Sequence, residues 1–315
     1  DIKPQWKIIK QIIQENLYMG AYAAPGAYND MDSLEVGRGL SEIEDKTHFM
    51  VWCFMSSPLT IGCDLQRLKD RPKLRELLTT KELIDLNQDT ADPQGYVVKR
   101  DGELYALVRD IEKPFGTKRA VLMVNLGDQP KAMRIEPREL DLEFCDDASR
   151  SAALPRTPDH AIEAEIPAHG SAIFVRNGDR RLERRVYEAE AAFMPAYQEL
   201  EKAEIAKTAY LVQDARASGG VYAAGLGGRA ENSIVWEKVW SESGGEYMLE
   251  FHAAPAAAGT VFASVNGSEP VSLHIEPNKP ATMKATLRPD INTISLSNPT
   301  TPMPGIDMMI VAPAN

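Results

Sequence analysis

PGAYNDMDSLEVGRGLSEIEDKTHFMVWCFMSSPLTIGCDL, residues 25–65, decides how the rest of the chain is read. Pro25 and Gly26 open a turn, and Asp30 and Asp32 follow two apart with Asn29 beside them. Ser41 and Glu44 make a capping-box pattern. The box predicts a helix over roughly 42–56 carrying Ile43, Phe49, Met50 and Phe54. Pro58 ends it, LTIG (59–62) reads as a short apolar strand, and Asp64 follows at that strand's end. Upstream, Pro4 suits a helix first turn, and Trp6, Ile9, Ile13 and Leu17 fall on one helical face. A strand near Tyr22–Tyr28 leads into the Asn29–Asp32 loop. Downstream, Thr79 and Glu82 form a second capping-box pattern ahead of KELIDLN. Helix, strand, helix, strand, helix is the rhythm of an α/β unit with parallel strands, assigned to residues 1–90.

The character then changes. YVVKR, ELYALVRD, RAVLMVNLG and SAIFVRNG are short β-rich runs separated by Asp101-Gly102, Gly127-Asp128 and Asn177-Gly178. They predict an antiparallel β-sandwich over 91–178. RNGDRRLERR (176–185) reads as a charged, exposed linker. Residues 186–312 form a third unit. It has a helical insertion at about 193–207 and then strand-like runs SIVWEKVW, EYMLEFHAA, GTVFASVNG, NTISLSN and DMMIVA, the pattern of a β-sandwich. The fold class expected is therefore multidomain, α/β plus all-β.

The chain has 315 residues with 35 basic and 46 acidic side chains, a net charge of −11. Such a balance argues against nucleic acid, which calls for a basic face to displace counterions. No run approaches the ~18 apolar residues of a membrane span, and no signal peptide is visible. Cys53, Cys63 and Cys145 show no metal spacing and read as buried free thiols.

As a set, PGAYNDMDSLEVGRGLSEIEDKTHFMVWCFMSSPLTIGCDL followed by LLTTKELIDLNQD resembles the C-terminal part of the glycoside hydrolase family 27 barrel. This is the α-galactosidase and α-N-acetylgalactosaminidase family. The family pattern runs Gly-Trp-Asn-Asp-Pro-Asp-Met-Leu; here Tyr28 stands for the Trp, Met31 for the Pro and Ser33 for the Met. Thr80 stands for the family's Asn before Lys-Glu. The resemblance implies that residues 1–90 hold strands seven and eight of a (β/α)8 barrel. IPAHGSAIFVRNG resembles the closing strand of the family's antiparallel domain, where His169 reads as a structural turn residue. VYEAEAA, ARASGGVYAAGLGG, GGEYMLEF and GIDMMIV resemble a family 35 or 6 carbohydrate-binding module, with a jelly-roll fold.

Several expectations follow from that resemblance. The family reaction is retaining glycoside hydrolysis by two carboxylates about 5–5.5 Å apart. DIKPQWKIIK fits the family's Arg-x-x-x-Asp-Ile-x-x-x-Trp segment from its acid/base aspartate onward, which makes Asp1 the general acid/base by resemblance. The nucleophile position lies outside these residues, and the chain by itself is expected to be inactive. Asp32 is placed next to the substrate pocket, Asp30 in its support, and Ser33 where the family's Met packs near the sugar. Asp30 and Asp32 can also be read as loop acids capping backbone amides. Asp64 reads as structural, and Trp52 and Trp236 as core; Trp240 is left open as a sugar platform. The implied partners are a galactosyl oligosaccharide or polysaccharide and the N-terminal part of the barrel. No cofactor is expected for catalysis. A structural Ca²⁺ is implied for the module, with Glu188, Glu190 and Asp307 as hard oxygen ligands; these can also be solvated strand acids. A secreted or periplasmic location suits the class. The alternatives are a non-catalytic carbohydrate-binding protein, or a family member with β-L-arabinopyranosidase or isomaltodextranase specificity.

Overall fold

The computed structural model describes residues 2–144, 160–197 and 208–314. The chain divides into two compact units, Asp1–Leu182 and Glu183–Asn315. The first begins with four helices: α1 (Trp6–Asn16), α2 (Glu42–Phe54), α3 (Pro72–Leu78) and α4 (Lys81–Gln88). Ile9 and Ile13 are the buried residues of α1, as the periodicity requires. The capping box on α2 forms: Ser41 Oγ accepts from Glu44 N, and Glu44 Oε2 accepts from Ser41 N at 2.8 Å. The Thr79–Glu82 box does not. Thr79 ends α3, and its hydroxyl donates back to Arg75 O at 2.8 Å, so it is unavailable to cap α4.

The two strands expected at 22–28 and 59–62 are also reduced. Met19–Tyr22 is a 3-10 turn, and Ala24 and Ala27 close a small bridge on themselves. The parallel pairing lies further along, as one bridge between Leu34 and Ile61. There Leu34 N donates to Thr60 O at 2.8 Å and Gly62 N to Leu34 O at 3.0 Å.

A four-stranded antiparallel sheet follows, in the order β1 (Tyr96–Asp101), β2 (Leu104–Asp110), β3 (Lys118–Asn125) and then β7 (Ser171–Asn177). Between β3 and β7 come β4 (Lys131–Ile135), β5 (Leu142–Glu143) and β6 (Ile162–Ile166); β4 pairs with β6. The middle strands β2 and β3 are buried on both faces, which explains their unbroken apolar runs. Leu104, Ala106, Val108, Val121 and Met123 pack towards β4 and β6. Tyr105, Leu107, Ala120, Leu122 and Val124 pack with Ile9, Ile13, Phe49 and Trp52 from the helices. The line drawn at residue 91 thus falls inside one unit, because a sheet face and a helix layer share a core.

The 176–185 run is not an exposed linker. Arg180–Arg181 is a short strand, β8, paired with β5, and Arg181 is buried in an ion-pair network. Arg181 meets Asp110 at 2.8 Å; Arg119 meets Asp110 at 2.9 Å and Asp141 at 3.1 Å. Tyr96 Oη donates to Asp141 at 3.0 Å. The charge run carries the arginines that this network needs, and its composition conceals them.

The second unit is a two-sheet sandwich. One sheet runs β10 (Tyr210–Gln213), β11 (Val221–Ala224), β18 (Ile306–Pro313), β13 (Gly245–Ala253), β16 (Ala281–Leu287), with β9 (Val186–Glu188) also on β18. The other runs β12 (Ile234–Ser241), β17 (Asp290–Ser297), β14 (Gly259–Val265), β15 (Val271–Ile275). Alternate residues such as Leu249, Phe251, Val261, Ala263, Ile294 and Leu296 fill the space between them. Of the helical insertion expected at 193–207, Phe193 and Tyr197 are bridged to Val235 and Ala209 in extended fashion, and 198–207 lie outside the described residues. No helix among the described residues is long and apolar enough to cross a membrane.

The network gives a pH-dependent prediction. Burial alone raises the Asp110 pKa, but Arg119 and Arg181 outweigh it and hold the carboxyl below its ordinary value. A folded-state pKa below the unfolded one gives stability that is present above the unfolded value and lost as pH falls through the folded one. Urea denaturation is therefore expected to show falling stability below about pH 4. Asp110→Asn should flatten that acid limb and cost roughly 3–5 kcal/mol at neutral pH, because two arginines are left under-compensated.

Candidate functional site

The Asp30–Ser33 loop sits where the helix layer ends, and its polar groups are tied to named partners. Asp32 N donates to Asp30 Oδ1 at 2.9 Å, so Asp30 closes the loop on itself as an Asx turn. Asp32 takes a left-handed backbone, φ 68°, which costs a residue with a Cβ about 1–2 kcal/mol. Its carboxylate accepts from Ser33 N at 2.6 Å, Ser33 Oγ at 3.2 Å and Ile2 N at 3.1 Å. Its own carbonyl accepts from the buried indole of Trp52 at 2.8 Å, and Met31 N donates to Ser57 Oγ at 3.0 Å. The hydrogen bond from Ser33 N is the largest influence on the Asp32 pKa and lowers it; burial, next in size, raises it, and the bonds from Ile2 and the Ser33 hydroxyl lower it further, so the net direction is down.

That geometry decides what these acids can do. An acid/base carboxyl must hold a proton in the free enzyme, and Asp32 is held ionised. Its chemistry is that of a hydrogen-bond acceptor, suited to a hydroxyl or amide donor. Asp30 and Asp32 do not face each other as a pair. The structure brings Asp30, Asp32 and Ser33 together and sets Ile2 against them; Asp1 lies outside the described residues.

Contacts also place the other polar, aromatic and sulfur-bearing residues singled out in the sequence. Asp64 caps a 3-10 turn, accepting from Gln66 N at 3.0 Å, and lines an open cleft of about 510 Å³ with Arg38, Cys63 and Arg71. His169 bridges Glu44 and Asp128, 2.9 Å from each, and stacks on Trp6. Trp52 and Trp236 are buried core, whereas Trp240 is half-buried. Cys53 is a buried free thiol, its pKa pushed up to about 12 by burial. Cys63 is free and half-buried, and Cys145 lies outside the described residues.

In the second unit, Glu188, Glu190 and Asp307 gather on the Ser218–Gly219 turn. β9 ends at Glu188 and Glu190 sits in a 3-10 turn, so their convergence does not come from strand alternation. Ser218 Oγ donates to Glu188 Oε1 at 2.7 Å, and Ser218 N to Asp307 Oδ1 at 2.9 Å. Glu188 Oε2 is buried with no protein partner. Burial and the Asp307 charge raise the Glu188 pKa to about 7, against the Ser218 bond; burial raises Asp307 as well. Among the described residues no group of three or more His, Cys, Asp or Glu is arranged to hold a metal ion. The donor set is still all hard oxygen, with Glu188 Oε2 unsatisfied, which suits calcium chemically.

The sequence reading does not single out Ser57, Asn87, Ser218 or Gly219. For Ser57 the available signal is Met31 itself: a residue with an N–H where the family pattern has proline calls for an acceptor.

Comparison with known proteins adds what the chain is similar to. The profile described as Alpha galactosidase A (Melibiase_2) matches residues 1–89. That match is confined to the helical part of the first unit and the turn after it. Alpha-galactosidase 2 of Arabidopsis thaliana is 36% identical over 147 residues, 46% of this chain and 36% of that protein. The chain spans roughly a third or less of the length of the first curated relatives it matches. Among solved structures, the isomalto-dextranase of Arthrobacter globiformis T6 complexed with panose covers 93% of this chain and 52% of its own, at 17% identity and TM-score 0.52. That likeness concerns the fold alone. A family 35 carbohydrate-binding module from Clostridium thermocellum is 24% identical, covering 40% of this chain and 97% of its own at TM-score 0.35.

Gly219 offers a direct check on the acidic turn. It has φ 61°, and a Cβ there would lie 2.7 Å from Glu190 Oε1. Gly228 has φ 77° with open space around it. Thermal denaturation is expected to show Gly219→Ala costing clearly more than the ~1 kcal/mol backbone penalty that Gly228→Ala should carry.

Proposed function

We propose that this chain is the C-terminal part of a retaining, exo-acting hydrolase of terminal α-galactosyl residues, carrying strands seven and eight of its barrel and a carbohydrate-binding module. The observation that carries this reading is the α-galactosidase-family match over residues 1–89, whose Asp30–Ser33 loop is built as a fixed, ionised acceptor. In this reading Asp32 accepts a hydroxyl of the galactosyl ring, Asp30 holds the loop, and Ser33 lies near the sugar. Asp1 is the general acid/base. The nucleophile comes from the N-terminal part of the barrel, in the same protein or in a partner chain. The module binds the galactosyl oligosaccharide or polysaccharide that presents the substrate, as suits a secreted or periplasmic enzyme.

Hydrolysis of p-nitrophenyl α-galactoside tests this directly. The 315 residues alone are expected to be inactive, and addition of the N-terminal part of the barrel to restore turnover with retention at the anomeric carbon, read by proton NMR. Stoichiometric turnover by the isolated chain would refute the division of carboxylates. Isomalto-oligosaccharides belong in the same panel as the second reading, since isomaltodextranase specificity is the alternative within the family.

We propose further that Glu188, Glu190 and Asp307 hold a structural Ca²⁺ against the Ser218–Gly219 turn. A carboxyl whose folded pKa is raised favours the protonated fold, so Glu188 costs stability as pH rises from its ordinary value, 4.5, through about 7. Calcium needs the ionised form and reverses this. In thermal scans, chelator-treated protein should lose stability across that window, and millimolar Ca²⁺ should restore it most at and above pH 7. An unchanged midpoint with Ca²⁺ at pH 8 would exclude the site.

A further inference from the structure

The loop departs from the family pattern at two positions beside Asp32, and both departures make hydrogen bonds. Ser33, where the family has Met, donates its hydroxyl to Asp32 Oδ1 at 3.2 Å. Met31, where the family has Pro, supplies an N–H that proline lacks, and Ser57 Oγ accepts it at 3.0 Å. Ser57 is fully buried and is itself fixed twice. Its N donates to Trp52 O at 3.0 Å, and its carbonyl accepts from Asn87 Nδ2 at 2.9 Å. The same amide reaches Trp52 O at 3.3 Å, and Trp52 sends its indole N–H to Asp32 O. The strained Asp32 backbone is therefore held from both sides by residues at the C-terminal end of α2.

We propose that Ser57 is a positioning residue for Asp32, acting through the Met31 N–H in place of the stiffness that the family's proline supplies. A proline fixes φ at about −65° and narrows the loop without any partner. A methionine leaves φ free, so the loop needs an external anchor, and Ser57 is placed to be that anchor. Asp32 stays in its left-handed conformation, with Ser33 N and Ile2 N aimed at its carboxylate, only while the anchor holds. The proposal rests on the galactoside reading for what Asp32 positions, though its geometry does not.

The test is the titration of the Asp32 carboxyl, followed by carbon-13 NMR in this chain and assigned with Asp32→Asn. Ser57→Ala is expected to bring the Asp32 pKa up to the ordinary aspartate value, and Ser57→Thr, which keeps the hydroxyl, to leave it depressed. In a Met31→Pro background Ser57→Ala should change nothing, since the bond it removes is already absent. A merely structural serine would lower the thermal midpoint and leave the Asp32 titration untouched, and that result overturns the proposal. So does an equal effect of Ser57→Ala in both backgrounds. If Met31→Pro fails to fold, the Ala and Thr variants alone decide. Galactoside hydrolysis is scored separately: its failure with the expected titrations removes the substrate, not the anchor.

Discussion

Arg109 closes the end of the helix on which the candidate site is built. The last carbonyls of a helix have no partner within it, and α2 ends inside the core, away from water. Arg109 comes from β2, is fully buried, and donates to Phe54 O at 2.7 Å, Ser56 Oγ at 2.9 Å and Asp89 O at 2.6 Å. One guanidinium thus finishes α2 and the turn after α4 together. The cation also sits where the α2 dipole favours positive charge. Burial pulls its pKa down, against the nearby aspartates, Asp92 and Asp89 foremost. Ser56 takes the left-handed position that usually falls to glycine, φ 50°. With Ser57 N on Trp52 O and Ser56 N on Cys53 O, the turn is a Schellman motif. Without the bond from Arg109 the serine has little to offset that strain.

This arrangement also explains why residues 1–90 and the following sheet share a unit. A sheet that sends a cation into the end of a helix, and packs Tyr105, Leu107 and Leu122 under it, cannot be separated from it without exposing both. The same unit carries the Asp110–Arg119–Asp141–Arg181 network, where each charge faces an opposite one. Buried pairs of this kind are a poor source of net stability but strongly penalise alternatives that leave one partner alone. Here they tie Arg181 of β8 to Asp110 of β2 and, at 3.8 Å, to Asp141 just before β5.

Local signals are legible in the sequence and long-range ones are not. The α2 capping box, the α1 face and most of the strands can be read, because each rests on residues a few positions apart. The Thr79 box fails because a second helix, α3, ends on the same residue and takes its hydroxyl first. Arg109 and Arg181 look like ordinary surface charges, since nothing within their own segments reveals that Phe54 O or Asp110 is opposite. At the site, the cluster of Asp30, Asp32 and Ser33 is visible as a motif. Its chemistry is not, because the state of Asp32 depends on Ile2 and Trp52, which lie 30 and 20 residues away.

Two carboxylates at i and i+2 invite an acid/base reading, and the geometry rules it out in a particular way. A general acid must be able to keep a proton, whereas three donors converge on Asp32 and hold it ionised. Asp30 is turned back to the Asp32 amide. The loop commits its donors to keeping one negative charge in place. A fixed acceptor is worth most where a ligand arrives with hydroxyls already oriented, because then neither side must reorganise. The galactosyl ring proposed above is such a ligand. The departures at Met31 and Ser33 keep that design while changing how it is held: stiffness in the chain is exchanged for hydrogen bonds to α2, and the position of Asp32 becomes a property of how that helix ends.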